Sequence, residues 1–119
     1  MSAKSPAVAV LVTSTDLFVG KTFVASGLAR ALSDRGYSVG VMKPVELGWD
    51  TKIDGEWPLD ADRLRRAANS EDPIEDVVPY VFADMVAPQV AADRQREPIE
   101  LERIEESLNR LRARHDIVL

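Results

Sequence analysis

The chain contains no cysteine and a single histidine, and only 6% of its residues are aromatic. Without cysteine, disulfide frameworks, thiolate zinc sites, iron–sulfur clusters and a cysteine nucleophile are excluded within this chain. The lack fits a reducing, cytoplasmic setting. Long apolar runs are missing too: nothing approaches the roughly 18 residues that span a bilayer. The first apolar run, residues 7–12, is short for a secretory segment and passes directly into Thr13-Ser14-Thr15-Asp16. Basic excess is also absent. A formal net charge of −5 argues against general nucleic-acid binding. The expected partners therefore include neither nucleic acid nor membrane.

What is present is ordinary for a globular protein: 119 residues, 45% hydrophobic and 29% charged. That length suits one compact domain, or part of one, taken here as residues 1–119. The charge is uneven along it. Residues 1–43 carry five Lys/Arg against two Asp/Glu, whereas residues 44–119 carry ten against eighteen. The basic surplus coincides with the most informative motif.

Residues 7–13 are short and rich in β-branched side chains, which predicts a strand buried on both faces. From residue 20 to 34, Val24, Leu28 and Leu32 recur at helical spacing, and Gly36 supplies a stop. A second strand is expected over residues 38–43, closed by Pro44. Strand, helix and strand form a βαβ unit, which implies parallel strands. Residues 46–59 read as loop, and Asp60 can cap a short helix over 61–69. Residues 77–82 are apolar, but Pro79 demotes them to an edge strand. Helices are expected over 88–94 and, opened by Pro98, along Leu101, Ile104, Leu108 and Leu111. The final Ile117-Val118-Leu119 begins another buried strand. The fold class is thus α/β, a three-layer P-loop type with a parallel central sheet, reading as truncated after its third core strand.

Val19-Gly20-Lys21-Thr22 stands between the first strand and the first helix. Backbone N–H groups at such a helix start bind phosphate oxygens, the lysine reaches the terminal phosphates, and the hydroxyl holds Mg²⁺. The loop is irregular, since neither Ser14 nor Thr15 is the glycine usual at its start.

The segment from Ser14 to Thr22 resembles the G-T-D-T-x-V-G-K-T loop of the dethiobiotin synthetases. Lys43-Pro44-Val45-Glu46-Leu47-Gly48 resembles that family's K-P-V-[AE]-[ST]-G, and Leu59-Asp60-Ala61-Asp62 its S-D-A segment. Pro79-Tyr80-Val81-Phe82, Ala87-Pro88 and His115-Asp116-Ile117-Val118-Leu119 are similar to further family blocks, in order.

The resemblance implies ATP- and Mg²⁺-dependent closure of a cyclic urea from 7,8-diaminononanoate and CO₂, through a carbamate and a carbamic–phosphoric anhydride. It implies catalytic roles for Lys43 and Lys21, and nucleotide binding by Phe18, Val19, Gly20, Lys21, Thr22, Phe23 and Asp62. Mg²⁺ would be held by Thr22 and Asp62. Leu47 would occupy a substrate-binding position, and the full-length protein would be a homodimer. Leu17, Phe18 and Leu47 stand where the family carries more polar side chains. They keep open an alternative reading, a non-catalytic or regulatory nucleotide-binding module. Outside the motif, Glu46 reads as solvated charge, Arg63, Arg65 and Arg66 as one solvated face, and Tyr80 and Phe82 as packing. Trp49 and Trp57 read as half-buried loop aromatics. His115 is assigned no role.

Overall fold

The computed structural model describes residues 7–13, 21–86 and 88–119, with the side chain of Lys21 outside that description. In chain order the elements are β1 (Val8–Ala9), α1 (Lys21–Asp34), β2 (Val39–Gly40), β3 (Val45–Leu47), α2 (Leu59–Ala67), α3 (Ile74–Val77), β4 (Tyr80–Phe82), α4 (Pro88–Gln95), α5 (Leu101–Arg114) and β5 (Ile117–Val118).

Local chemistry sets several of these boundaries. Helix α1 ends in a Schellman turn: the Gly36 amide bonds the Ser33 carbonyl, the Tyr37 amide bonds the Leu32 carbonyl, and Gly36 adopts φ 92°. Helix α2 closes in the same way, with Asn69 at φ 56° in the glycine position. Pro58 and Pro73 stand at the N-caps of α2 and α3, where a missing N–H costs nothing. Helix α5 begins at Leu101 rather than at Pro98. Its entry is fixed instead by the Tyr80 hydroxyl, which accepts the Glu100 amide at 2.9 Å.

The expected parallel arrangement holds, with one rearrangement. Strands β1 and β2 do not pair; β5 lies between them, with Ile117 opposite both Val8 and Val39 and Val118 opposite both Ala9 and Gly40. The chain's last strand is therefore the middle of the sheet. A second sheet pairs β3 with β4 in parallel, Val45 opposite Tyr80 and Leu47 opposite Phe82. The start of the expected 46–59 loop is thus a strand.

Side-chain alternation along the strands gives the three layers. Val39, Val41 and Ile117 pack with Ala25 and Ala29 of α1, with Ala61 and Leu64 of α2, and with Ala68 just after it. Their neighbours in sequence, Met42 and Val118, pack with Leu108 and Leu111 of α5. Successive residues of a strand point to opposite faces, so α1 and α2 cover one face of the sheet and α5 the other. A third cluster joins Tyr80 and Phe82 to Ala91 and Ala92 of α4.

One burial expectation fails. The first strand is not buried on both faces, for Leu11 is 86% exposed and Val8 is exposed as well. Among the described residues β1 pairs only with β5, so one edge has no neighbour. In α1 the buried positions are Ala25 and Ala29, while Val24 and Leu28 are exposed and Leu32 is half-buried. Small side chains let α1 approach α2 closely, and the larger ones are turned away. On α5 likewise, Leu111 is fully buried, Ile104 and Leu108 partly, and Leu101 is exposed.

Asp76 ties α3 to α5. Burial pushes its carboxyl up, but hydrogen bonds from Arg114 and Arg110 outweigh that and hold it below the usual carboxylate range. Its stabilising contribution is therefore present above the ordinary aspartate pKa and is lost as pH falls through the depressed value.

Leu111 carries the contact between α5 and the sheet. Leu111→Ala should lower stability by about 2–5 kcal/mol, the range for large buried aliphatic truncations. Denaturant unfolding would report it, and a loss under about 1 kcal/mol would place the weight of that face elsewhere.

Candidate active site

The carboxyl ends of β1, β2 and β5 open onto one cavity of about 260 Å³, lined among others by Val10, Val12, Thr22, Met42, Lys43 and Leu119. Ligands of open parallel sheets bind just beyond such strand ends. Thr22 reaches the cavity from the first turn of α1, and Lys43 reaches it from the chain leaving β2. Two residues singled out from sequence, 21 positions apart, therefore line one space.

Lys43 is fixed from both sides. Its own amide bonds the Val77 carbonyl at 2.7 Å, which holds the backbone at the point where Pro44 turns the chain. Its ammonium Nζ donates to Asp60 Oδ2 at 2.6 Å and lies 3.6 Å from Glu46 Oε1. Half-buried, the pair is less screened than a surface ion pair.

Glu46 is the organising group. Expected to be solvated, it is only 4% exposed. Its Oε1 accepts the Asp60 amide at 2.9 Å and the Ala61 amide at 3.3 Å, two of the unsatisfied donors in the first turn of α2. The N-cap residue itself, Pro58, makes no side-chain cap bond. Asp60 does not cap the helix as expected; it sits inside the first turn, capped in its turn by a glutamate 14 residues earlier. Burial pushes the Glu46 carboxyl up, and Asp60 adds to the rise. Lys43 and the two amides pull the other way without cancelling it. The second oxygen, Oε2, is buried without a hydrogen-bond partner.

The other expected site residues divide. Phe18, Val19 and Gly20 lie outside the described residues, as does the side chain of Lys21. Phe23 is 84% exposed. Leu47 is partly buried against the Tyr80 and Phe82 cluster, so its side chain serves packing. Asp62 faces two guanidinium groups, Arg65 at 2.7 Å and Arg66 at 2.9 Å. The first contact lacks hydrogen-bond geometry and leaves Asp62 Oδ1 without a bonded partner. Arg65 also lies over the Trp57 ring, 4.1 Å from its centroid, so the expected solvated arginine face is partly structural. Among the described residues no group of three or more His, Asp or Glu is placed to hold a metal ion. Sequence reasoning gave Glu46 only solvated charge and Asp60 only a capping role. Their signal was available in the spacing, since Glu46 lies three residues past Lys43 and Asp60 opens the next helix.

Residues 8–119 match the family model described as AAA domain. The chain is 41% identical to the ATP-dependent dethiobiotin synthetase BioD of Anaeromyxobacter dehalogenans strain 2CP-C, over 92% of this chain and 48% of that protein. It is 39% identical to the protein of the same name from Nitrosospira multiformis, over 91% of this chain and 46% of the relative. For the Aliivibrio fischeri strain MJ11 protein, again of that name, identity is 33% over 93% and 49%. The chain spans about half the length of the curated relatives it matches.

A raised carboxyl pKa in the folded state means that the fold binds a proton more tightly than the unfolded chain does. The stability Glu46 contributes is then fully present below its ordinary value of 4.5 and is lost as pH rises through the raised one. Glu46→Gln keeps an acceptor for both amides and removes the titration. Thermal unfolding followed from pH 4 upward should show the difference between variant and parent shifting in the variant's favour as pH rises. A constant difference across that window would mean that Glu46 does not titrate between the two states.

Proposed function

Because the chain belongs to the AAA-domain family, we propose that it is the nucleotide-binding, lysine-bearing portion of an ATP-dependent dethiobiotin synthetase. The observation that carries this reading is the shared cavity of Thr22 and Lys43 at the strand ends. In this reading the protein works in the cytoplasm and the full-length form is a homodimer. It closes the ureido ring of dethiobiotin from 7,8-diaminononanoate, CO₂ and ATP.

One amine of the diamine takes up CO₂ as a carbamate. A carbamate oxygen attacks the γ-phosphorus of ATP, displacing ADP and forming a carbamic–phosphoric anhydride. The second amine then attacks the carbamoyl carbon, closing the ring and releasing phosphate. Each step gathers negative charge at one place, so the protein contributes mainly fixed positive charge and fixed amides. Lys43 Nζ supplies such a charge, and Asp60 and Glu46 keep it at the mouth of β2. Lys21 and the amides of residues 18–23 are assigned the triphosphate.

Mg²⁺ neutralises phosphate charge when it is bound. Thr22 offers a hydroxyl, and α2 offers two carboxylates, all hard oxygen donors of the class this ion takes. Asp62, expected in that role, faces Arg65 and Arg66, whereas Asp60 stands beside Lys43 at the site. We therefore assign the acidic metal ligand to Asp60.

The test is turnover of the diamine to dethiobiotin by the full-length protein. Lys43→Ala should lower kcat by at least about 100-fold, the scale for losing one preorganised charge on a transition state. Nucleotide affinity, measured by calorimetry, should change little. Unchanged turnover removes the role of Lys43. ATP binding with no response to the diamine and CO₂ would instead favour a nucleotide-binding module.

A further inference from the structure

The opposite ends of the same two strands hold a second constellation. Ser38 immediately precedes β2, and His115 and Asp116 immediately precede β5. The Ser38 hydroxyl lies 2.8 Å from His115 Nδ1, and His115 Nε2 lies 2.6 Å from Asp72 Oδ2. Asp72 is in turn held by the Ser70 hydroxyl at 2.6 Å and by Arg114 Nε at 3.0 Å. These four acceptor and donor contacts leave one consistent tautomer for a neutral ring. The carboxylate takes the Nε2 proton, so Nδ1 is the free base facing the serine.

The ring is seated rather than merely near. A Cβ at Gly40 would come within 2.7 Å of His115 Cδ2, so the imidazole lies against bare β2 backbone. The side chain of His115 is 12% exposed and that of Asp72 is 6% exposed. Ser38, by contrast, is exposed, and with His115 it lines a cavity of about 280 Å³ shared with Ser33, Tyr37 and Asn69. The Ser38 backbone is also pinned, its amide donating to Asp116 Oδ2 at 2.8 Å.

From this alignment we propose that Ser38 is a nucleophilic serine, with His115 as its general base and Asp72 as the group that orients the ring. The substrate class is a small activated carboxylic ester, since the cavity is near the lower limit for ligand pockets. His115 Nδ1 takes the hydroxyl proton as Ser38 Oγ bonds to the acyl carbon. The bond from that carbon to the leaving oxygen breaks, and the alcohol departs with the proton from His115. Water, deprotonated by the same imidazole, then attacks the acyl carbon; the bond to Ser38 Oγ breaks, Oγ takes the proton back from His115, and the carboxylic acid leaves. Asn69 lines the cavity and brings a carboxamide N–H₂ as the donor class an oxyanion requires. Nucleophile, base and orienting acid in hydrogen-bonded sequence are the defining geometry of such sites, whatever their order in the chain. The site stands at the far ends of the strands from Lys43 and does not rest on the ligase reading.

The experiment treats the purified full chain with a fluorophosphonate probe and maps the adduct by mass spectrometry, with p-nitrophenyl acetate hydrolysis followed in parallel. Ser38 should carry the label, and Ser38→Ala should lose both label and hydrolysis. His115→Gln should slow labelling by about 100-fold or more, the usual contribution of a positioned base. Saturating ATP should change neither rate. Absence of label, label confined to another residue, or equal rates in His115→Gln would overturn the proposal. If His115→Gln fails to unfold cooperatively, the pH profile of parent labelling decides. A rate that rises through an imidazole titration supports the base role, and a flat one overturns it.

Discussion

Among the described residues, two parallel pairings made by Ile117 and Val118 set the alignment on which both ends of the sheet depend. They join Val8–Ala9 on one side to Val39–Gly40 on the other. Because β5 is central, its register aligns the strand ends at both edges of the sheet. At the carboxyl edge it brings Leu119 beside the segments carrying Val10 and Lys43, and so shapes the cavity shared with Thr22. At the amino edge it brings His115 beside Ser38. Parallel pairing fixes both ends at once, since strands running the same way present all their amino ends to one side. A slip of one residue would also reverse which of Ile117 and Val118 faces α1.

The carboxyl edge is electrostatically interdependent. Glu46 completes the first turn of α2 from a distance, and that turn carries Asp60, which meets Lys43. The glutamate thus acts on the lysine twice, directly at 3.6 Å and through the placement of Asp60. Its burial would be costly for an isolated carboxylate. Two backbone donors and a nearby ammonium offset much of that cost, and the raised pKa is the remainder. A dipole favouring negative charge at the helix start works in the same direction as the amides.

Much of this was legible in the sequence, and the failures share a cause. The α/β order, the turn glycine at Gly36, the helix of residues 101–114 and the Lys43-Pro44 strand exit all follow from local patterns. Burial does not. Periodicity marks Val24, Leu28 and Leu32 as helical, yet it does not say which face is buried: the contact with α2 is made by Ala25 and Ala29, because helix approach depends on the partner's surface. Strand β3 was hidden because its stabilising partner, β4, lies more than thirty residues away. Glu46 was misread for the same reason: a charged side chain is taken as solvated until the fold supplies its partners. Asp60 and Asp62 are two residues apart and alike in sequence. Only the positions of Lys43, Arg65 and Arg66 tell them apart.

The two ends of the sheet also use different chemistry. At the carboxyl edge the expected phosphate contacts are backbone amides and hard oxygen donors, which a loop followed by a helix start can provide with little help from side-chain packing. At the amino edge the arrangement consists of side chains, and each must be held by another: Arg114 and Ser70 hold Asp72, Asp72 holds His115, and Gly40 leaves room for the ring. Arg114 also reaches Asp76, so α3 and α5 share the cation that steadies the carboxylate behind the imidazole. The geometry of Ser38 and His115 therefore depends on the packing of α5, whereas that of Lys43 depends on α2. The two sites share strands but are steadied by different neighbours: Lys43 by the first turn of α2, and His115 by Asp72 and Arg114.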